Sequence, residues 1–196
     1  MSDKTEQKRQ YIIEKAKEVF TERGYKNVTM KDIVEVCEIS RGGLYLYFSS
    51  VEEILLAVLE EQEESDKENE ELTGERLKTA SAAELLLLFF KEQKKEILKK
   101  KNNLTVAKYE YAFSCREERR TNNLKKDFET AALVLEKLLE RGNESGEFTC
   151  MDPREEAGSI MFSIEGMKIC ARTMGISEKR VDRELLFLLK RFMVVE

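Results

Sequence analysis

The residues best placed for chemistry in this 196-residue chain are Ser40-Arg41-Gly42-Gly43-Leu44-Tyr45-Leu46-Tyr47-Phe48. An arginine, two adjacent glycines and two tyrosines make a recognition surface rather than a catalytic set. Arginine pairs bidentately with guanine, tyrosine hydroxyls reach phosphates, and glycine lets a backbone come close to a bulky partner such as a DNA groove. No nucleophile, metal or phosphate-loop constellation appears: the chain has no histidine, and Cys37, Cys115, Cys150 and Cys170 are scattered without a Cys-x-x-Cys pair. Neither an enzyme nor a metal or other cofactor is expected, and the cysteines read as free thiols in a reducing compartment.

The elements that must hold this stretch are helices. Ile12, Ile13, Ala16, Val19 and Phe20 recur at helix spacing, and Gly24 ends that first helix. Thr29 stands at an N-cap with Asp32 three residues on, opening a second helix from Met30 to Cys37 or Glu38. Ile39-Ser40 breaks it, and Ser40 caps a third helix from Arg41. Gly42 and Gly43 are poor helix formers, so packing of Leu44 and Phe48 must hold that helix. Ser49 or Ser50 caps a fourth, with Val51, Ile54, Leu55, Val58 and Leu59 on one face and the acidic run 60–71 in solvent.

Thr73-Gly74 reads as the break before a second, helical part. Ser81 opens a helix through Leu85-Leu86-Leu87-Leu88-Phe89-Phe90, whose lysine-rich end at Lys91–Lys101 complements the helix dipole. Leu104–Cys115 forms another helix, and a stripe from Phe128 to Leu139 another, ended near Gly142. Asp152-Pro153 starts a helix closed by Gly175, and Ser177 caps the last. The result is an all-α fold of about nine helices, divided as 1–50 with the DNA-reading stretch, the fourth helix 51–72 and a second helical part 73–196. The broad apolar faces of the last two helices call for a cover, which a homodimer supplies. No apolar run is long enough to span a bilayer and no signal-type core opens the chain, so a cytoplasmic location is expected.

The net charge of −5 divides unevenly: residues 1–50 carry +1, so the remainder carries −6. Phosphate binding depends on a local face, not on overall pI. Phe89, Tyr109, Phe113, Phe128, Met161 and Phe162 supply aromatic and adaptable apolar surface at helical spacing, and each reads first as core and otherwise as the lining of a ligand cavity. Glu165, among apolar neighbours, must be exposed, paired with a cation or lining a cavity, and Glu110 between two tyrosines poses the same question.

Residues Ile12-Ile13-x-x-Ala16-x-x-x-Phe20-x-x-x-Gly24-Tyr25, Thr29-Met30-x-x-Ile33, Ser40-Arg41-Gly42-x-Leu44-Tyr45-x-Tyr47-Phe48 and Glu52-Glu53-x-Leu55 together resemble a TetR-type bacterial transcriptional regulator. The likeness covers about a quarter of the chain. It implies a three-helix N-terminal helix-turn-helix DNA-binding domain, a linking fourth helix and a divergent helical regulatory domain that dimerises and binds a small-molecule effector. It also implies that Ser40, Arg41, Gly42, Gly43 and Tyr45 lie in the major groove of an operator duplex, that Thr29 and Tyr47 contact phosphate, and that Lys31 lies near the backbone. Where the family often has lysines, this chain has Ser49-Ser50-Val51, so phosphate contact there is either weaker or made by serine hydroxyls such as that of Ser49 and by backbone N–H groups. The expected function is that of a homodimeric repressor, released by its effector. A helical interaction module without DNA binding would leave Arg41 to Tyr47 unexplained.

Overall fold

Side-chain capping sets most of the helix starts in the computed structural model, which describes residues 3–68, 79–101, 103–114 and 123–192. Among these the chain is all-α, with nine helices in the order α1 (Asp3–Arg23), α2 (Met30–Cys37), α3 (Arg41–Tyr45), α4 (Val51–Glu68), α5 (Ala82–Leu98), α6 (Thr105–Ser114), α7 (Asn123–Ser145), α8 (Pro153–Thr173) and α9 (Glu178–Leu189). Ser81 Oγ accepts the Glu84 N–H at 3.2 Å while Glu84 accepts the Ser81 N–H at 2.9 Å, closing a capping box on α5. Asp152 accepts the Glu155 N–H at 3.1 Å with Pro153 at the first turn of α8. Ser177 accepts the Arg180 N–H at 3.2 Å ahead of α9. The run 69–71, Thr73-Gly74, Cys115 and 116–122 lie outside the described residues.

One expected boundary moves. Gly142 does not end its helix; α7 continues to Ser145 and turns at Gly146, with φ +76°. Gly142 is buried under the Phe148 ring, which a Cβ would overlap. The glycine serves close packing, a reason that spacing along the chain does not reveal.

The chain divides into two compact units, Met1–Glu71 with Lys101–Thr121 and Leu72–Lys100 with Asn122–Glu196. The expected division at 50 and 72 separated α4 from the first three helices and placed α6 in the second domain; the first unit contains both. Leu104, Ala107 and Tyr111 are buried in a core with Ile12, Phe20, Ile33, Leu44, Phe48, Ile54 and Val58. Tyr25 and Tyr111 meet edge to face at 5.3 Å, and the Tyr111 hydroxyl donates to Glu52 at 3.0 Å. Periodicity shows that α6 has an apolar face but not which core that face covers.

In the second unit α5, α7, α8 and α9 bury Leu86, Phe89, Phe90, Leu135, Leu139, Ile160, Met161, Ile164, Val181, Leu185 and Leu188 together. The run Leu85–Phe90 is buried on most sides, with Leu87 on its open side at 54% exposed. Lys94 reaches Glu178 at 2.8 Å and Asp182 at 2.6 Å, tying α5 to α9. Arg172 donates to the Lys99 carbonyl at 2.6 Å, meeting the orphan carbonyls at the end of α5. The Glu147 carboxylate accepts the N–H groups of Ala82 at 3.1 Å and Ala83 at 2.9 Å at the start of α5. Those bonds, with one from the Ser145 hydroxyl, pull its pKa down from 4.5 to about 2. Among the described residues no helix is long and apolar enough to cross a membrane.

Candidate nucleic-acid interface

The turn before α3 is built by two caps and one unusual backbone. Thr29 Oγ1 accepts the Asp32 N–H at 3.3 Å, and Asp32 accepts the Thr29 N–H at 2.8 Å, so the capping box read from the sequence is present. Arg23 braces the same carboxylate at 2.9 Å. Bonds from the Thr29 hydroxyl and N–H, helped by Arg23, hold the Asp32 pKa below its ordinary value. α2 ends at Glu38 in the left-handed region, φ 52° and ψ 41°, a conformation usually left to glycine, with Glu38 N–H on the Glu35 and Val34 carbonyls. That reversal swings the chain to Ser40, whose Oγ accepts the Gly43 N–H at 3.0 Å and starts α3.

α3 is held from beneath and open above. Leu44 is 0% and Phe48 1% exposed, and the Arg9 guanidinium lies over the Phe48 ring at 5.1 Å. Ser40, Arg41, Gly42 and Tyr45 are exposed; Gly43 and Tyr47 are half-buried, with Tyr47 packed against the core. The Arg41 guanidinium sits 5.7 Å from the centre of the Tyr45 ring, within cation–π range, so two of the expected readers hold one another on the open face. The glycines differ: a Cβ on Gly42 would have no neighbour within 4 Å, whereas one on Gly43 would lie 3.1 Å from Ser40 Oγ. Gly42 keeps clear the outer surface, and Gly43 makes room for the cap.

Leu46 carries no expectation from the sequence. The structure leaves it 82% exposed. The signal was present: two residues along a helix is a rotation of about 200°, so Leu46 falls opposite the buried Leu44.

The expected phosphate donors are engaged to different degrees. Both the N–H and the hydroxyl of Ser49 donate to one Glu53 oxygen at 2.7 Å, and the Glu53 N–H donates to Ser50 Oγ at 3.1 Å. The Ser49 bonds hold the Glu53 pKa below its ordinary value. Thr29 gives both of its donors to Asp32. Lys31 is 84% exposed, with a loose 3.6 Å pair to Glu35.

The expected ligand residues divide between the units. Tyr109, Glu110 and Phe113 lie on α6 in the first, where the rings of Tyr109 and Phe113 are 6.4 Å apart and Phe113 is 76% exposed. Glu110 Oε2 accepts the N–H groups of Tyr25 at 2.6 Å and Lys26 at 2.9 Å. Gly24, at φ +74°, presses so close to that carboxylate that a Cβ would overlap it. Glu110 is thus a clasp for the turn after α1. In the second unit Phe89 and Met161 are core, Phe128 packs against that core, and its ring lies 5.0 Å from the exposed Phe162. Glu165 takes the ion-pair alternative, with Lys168 at 2.8 Å and both side chains under a fifth exposed. A shallow open depression on α8 is lined by Glu155, Gly158, Ser159, Phe162 and Ser163. A second lies along Thr79, Ala80, Glu84, Leu87, Leu88 and Lys91.

A short capped helix that a left-handed turn sets against two packed helices is the arrangement of a helix-turn-helix, the class of DNA-binding regulators. Residues 12–58 match the bacterial regulatory proteins of the tetR family, and residues 85–182 match the tetracyclin repressor-like C-terminal domain. The chain belongs to the TetR family and is a DNA-binding transcriptional regulator, not an enzyme. It is 30% identical over 143 residues to the HTH-type transcriptional regulator YfiR of Bacillus subtilis, covering 72% of this chain and 68% of that protein. Its fold is shared by a transcriptional regulator from Saccharomonospora viridis solved in complex with choline, with TM-score 0.80, 20% identity and 95% and 98% of the two chains covered. It is shared too by AibR solved with isovaleryl coenzyme A and operator DNA, with TM-score 0.67, 19% identity and 92% and 97% covered.

Proposed function

We propose that this regulator is a homodimeric, cytoplasmic repressor that occupies a pseudo-palindromic operator and is released when a small molecule binds its second unit. The observation that carries the dimer is the outer face of α8. Gly158, Phe162, Gly166 and Ile169 form one helical stripe; Phe162 is 73% and Ile169 42% exposed, and a Cβ on either glycine would meet nothing within 4 Å. A glycine inside a helix costs roughly 0.5–1 kcal/mol against alanine, and nothing within the described chain asks for these two. A second copy does: Phe162 of one protomer fits beside the bare backbone of the other, and a two-fold axis repeats the contact. Leu186 at 52% and Phe187 at 65% exposure extend apolar surface onto α9, in keeping with a dimer through the last two helices.

Two linked copies present two α3 faces, with Ser40, Arg41, Gly42, Gly43 and Tyr45 toward the groove and Tyr47, Lys31, Thr29 and Ser49 along the phosphates. Thr29 and Ser49 reach a phosphate by exchanging their bonds to Asp32 and Glu53. Ligand release requires an effector that binds the two DNA-binding arrangements with different affinity. The neighbours solved with choline and with isovaleryl coenzyme A support a small-molecule effector without naming it. Of the expected residues, Phe89, Phe128, Met161 and Phe162 lie in the second unit as its apolar contributors, and Glu165 meets a cationic effector only if its Lys168 pair opens.

Selection of bound duplexes from random DNA, followed by a screen for small molecules that release the selected site, tests the proposal. A two-fold symmetric site bound by a dimer is expected, with affinity lowered about 5–150-fold per half-site by Arg41→Ala if the arginine reads a guanine. Binding unchanged in the double variant Arg41→Ala with Tyr45→Ala would remove α3 from the interface, and release by hydrophobic cations that is indifferent to Glu165→Gln would remove Glu165 from the effector site.

A further inference from the structure

We propose that Leu46 reads the methyl group of a thymine in each operator half-site, an inference that rests on the DNA-binding assignment of α3. Leu46 is 82% exposed, although the leucine two positions earlier is fully buried. Its backbone is still helical, φ −69° and ψ −23°, with its N–H on the Gly42 carbonyl at 3.2 Å. It therefore stands one turn beyond Gly42, on the outward side of the helix. Side chains on a helix lean toward its N-terminus, so Leu46 leans over the place that Gly42, without a side chain, leaves empty. The middle of the presented surface is then an apolar knob over bare backbone, with the exposed Tyr45 and its Arg41 partner beside it.

The edges of bases in the major groove offer hydrogen-bond donors and acceptors almost everywhere. The apolar group they offer is the C5-methyl of thymine. Arg41, which takes a guanine edge, cannot discriminate thymine from cytosine at a neighbouring pair; a leucine against the methyl does so by burying apolar surface on both sides. Glycine at 42 is what allows the leucine to come that close, since any side chain there would hold the helix off.

The test uses the full chain and its selected operator. Each thymine in turn is replaced by deoxyuridine, which deletes the methyl and keeps the base pair. One position per half-site is expected where the replacement weakens binding about fourfold, or about fifteenfold with both half-sites changed, from the loss of one buried methyl each. Leu46→Ala is expected to bind thymine and deoxyuridine operators equally, to melt at the same temperature as the parent because the side chain touches little of its own core, and to lose the thymine preference on reselection. Wild-type binding indifferent to deoxyuridine at every position would overturn the proposal. So would a Leu46→Ala variant that keeps the full methyl dependence, or one whose loss on the thymine operator far exceeds the parent's loss on deoxyuridine, because the leucine would then pack on sugar and phosphate. Failure to select any sequence at all would instead remove the DNA reading beneath it.

Discussion

Two outward faces of this molecule, on α3 and on α8, share a construction and differ in what they suit. Each sets an exposed apolar side chain beside glycines around which there is open space: Leu46 beside Gly42, and Phe162 between Gly158 and Gly166. The α3 face adds Arg41 and Tyr45 and belongs to a stretch of net charge +1, whereas the α8 face lies in the part that carries −6. An anionic duplex suits the first. Like-charged copies meet most cheaply through an uncharged patch, which suits the second. Gly24 and Gly142 make the contrast sharper, because a Cβ on either would strike Glu110 or Phe148. A helical glycine with no internal neighbour leaves room for another molecule, whereas one pressed by its own chain serves packing.

The largest effect that would break this comparison is on the α8 face. Phe162→Asp is expected to give a monomer in sedimentation and to lower operator affinity on the order of 100-fold or more, since the second half-site then has to be bound independently. A variant that stays dimeric at micromolar concentration would place the interface elsewhere. The two classes of glycine should next separate in urea melts. Gly142→Ala is expected to lose about 1–3 kcal/mol through overlap with Phe148. Gly158→Ala should leave the protomer fold unharmed or better by up to about 1 kcal/mol while weakening dimerisation.

The smallest effect concerns acid. The folded pKa of Glu147 is lowered from 4.5 to about 2, so its clasp on α5 is fully effective above 4.5 and is lost as pH falls from there toward 2. The stability gap between the parent and Glu147→Gln should be constant near neutrality and close over that acid window, as followed by helical signal in denaturant titrations at several pH values. A gap independent of pH would mean that the carboxylate does not carry the clasp.

Much of the fold and the core of the candidate site were legible in the sequence. Thr29, Ser40, Ser81, Asp152 and Ser177 cap the helices they were expected to cap, and Leu44 and Phe48 anchor α3, because capping and amphipathic spacing act over three or four residues and leave a local mark. Leu46 was missed because its neighbours in sequence are core-like and its exposure depends on which side of a five-residue helix the chain turns toward its base.

The sequence by itself determined the all-α class, the helix starts and the chemistry gathered between Ser40 and Tyr47. Only the tertiary structure decided that α6 belongs with the DNA-binding unit, that Glu110 clasps the turn after α1, that Glu165 pairs with Lys168, and that Ser49 already serves Glu53. The physical reason is separation along the chain and competition in space. Glu110 and Tyr25 are 85 residues apart, and no periodicity says which of several donors a carboxylate meets once the helices have packed.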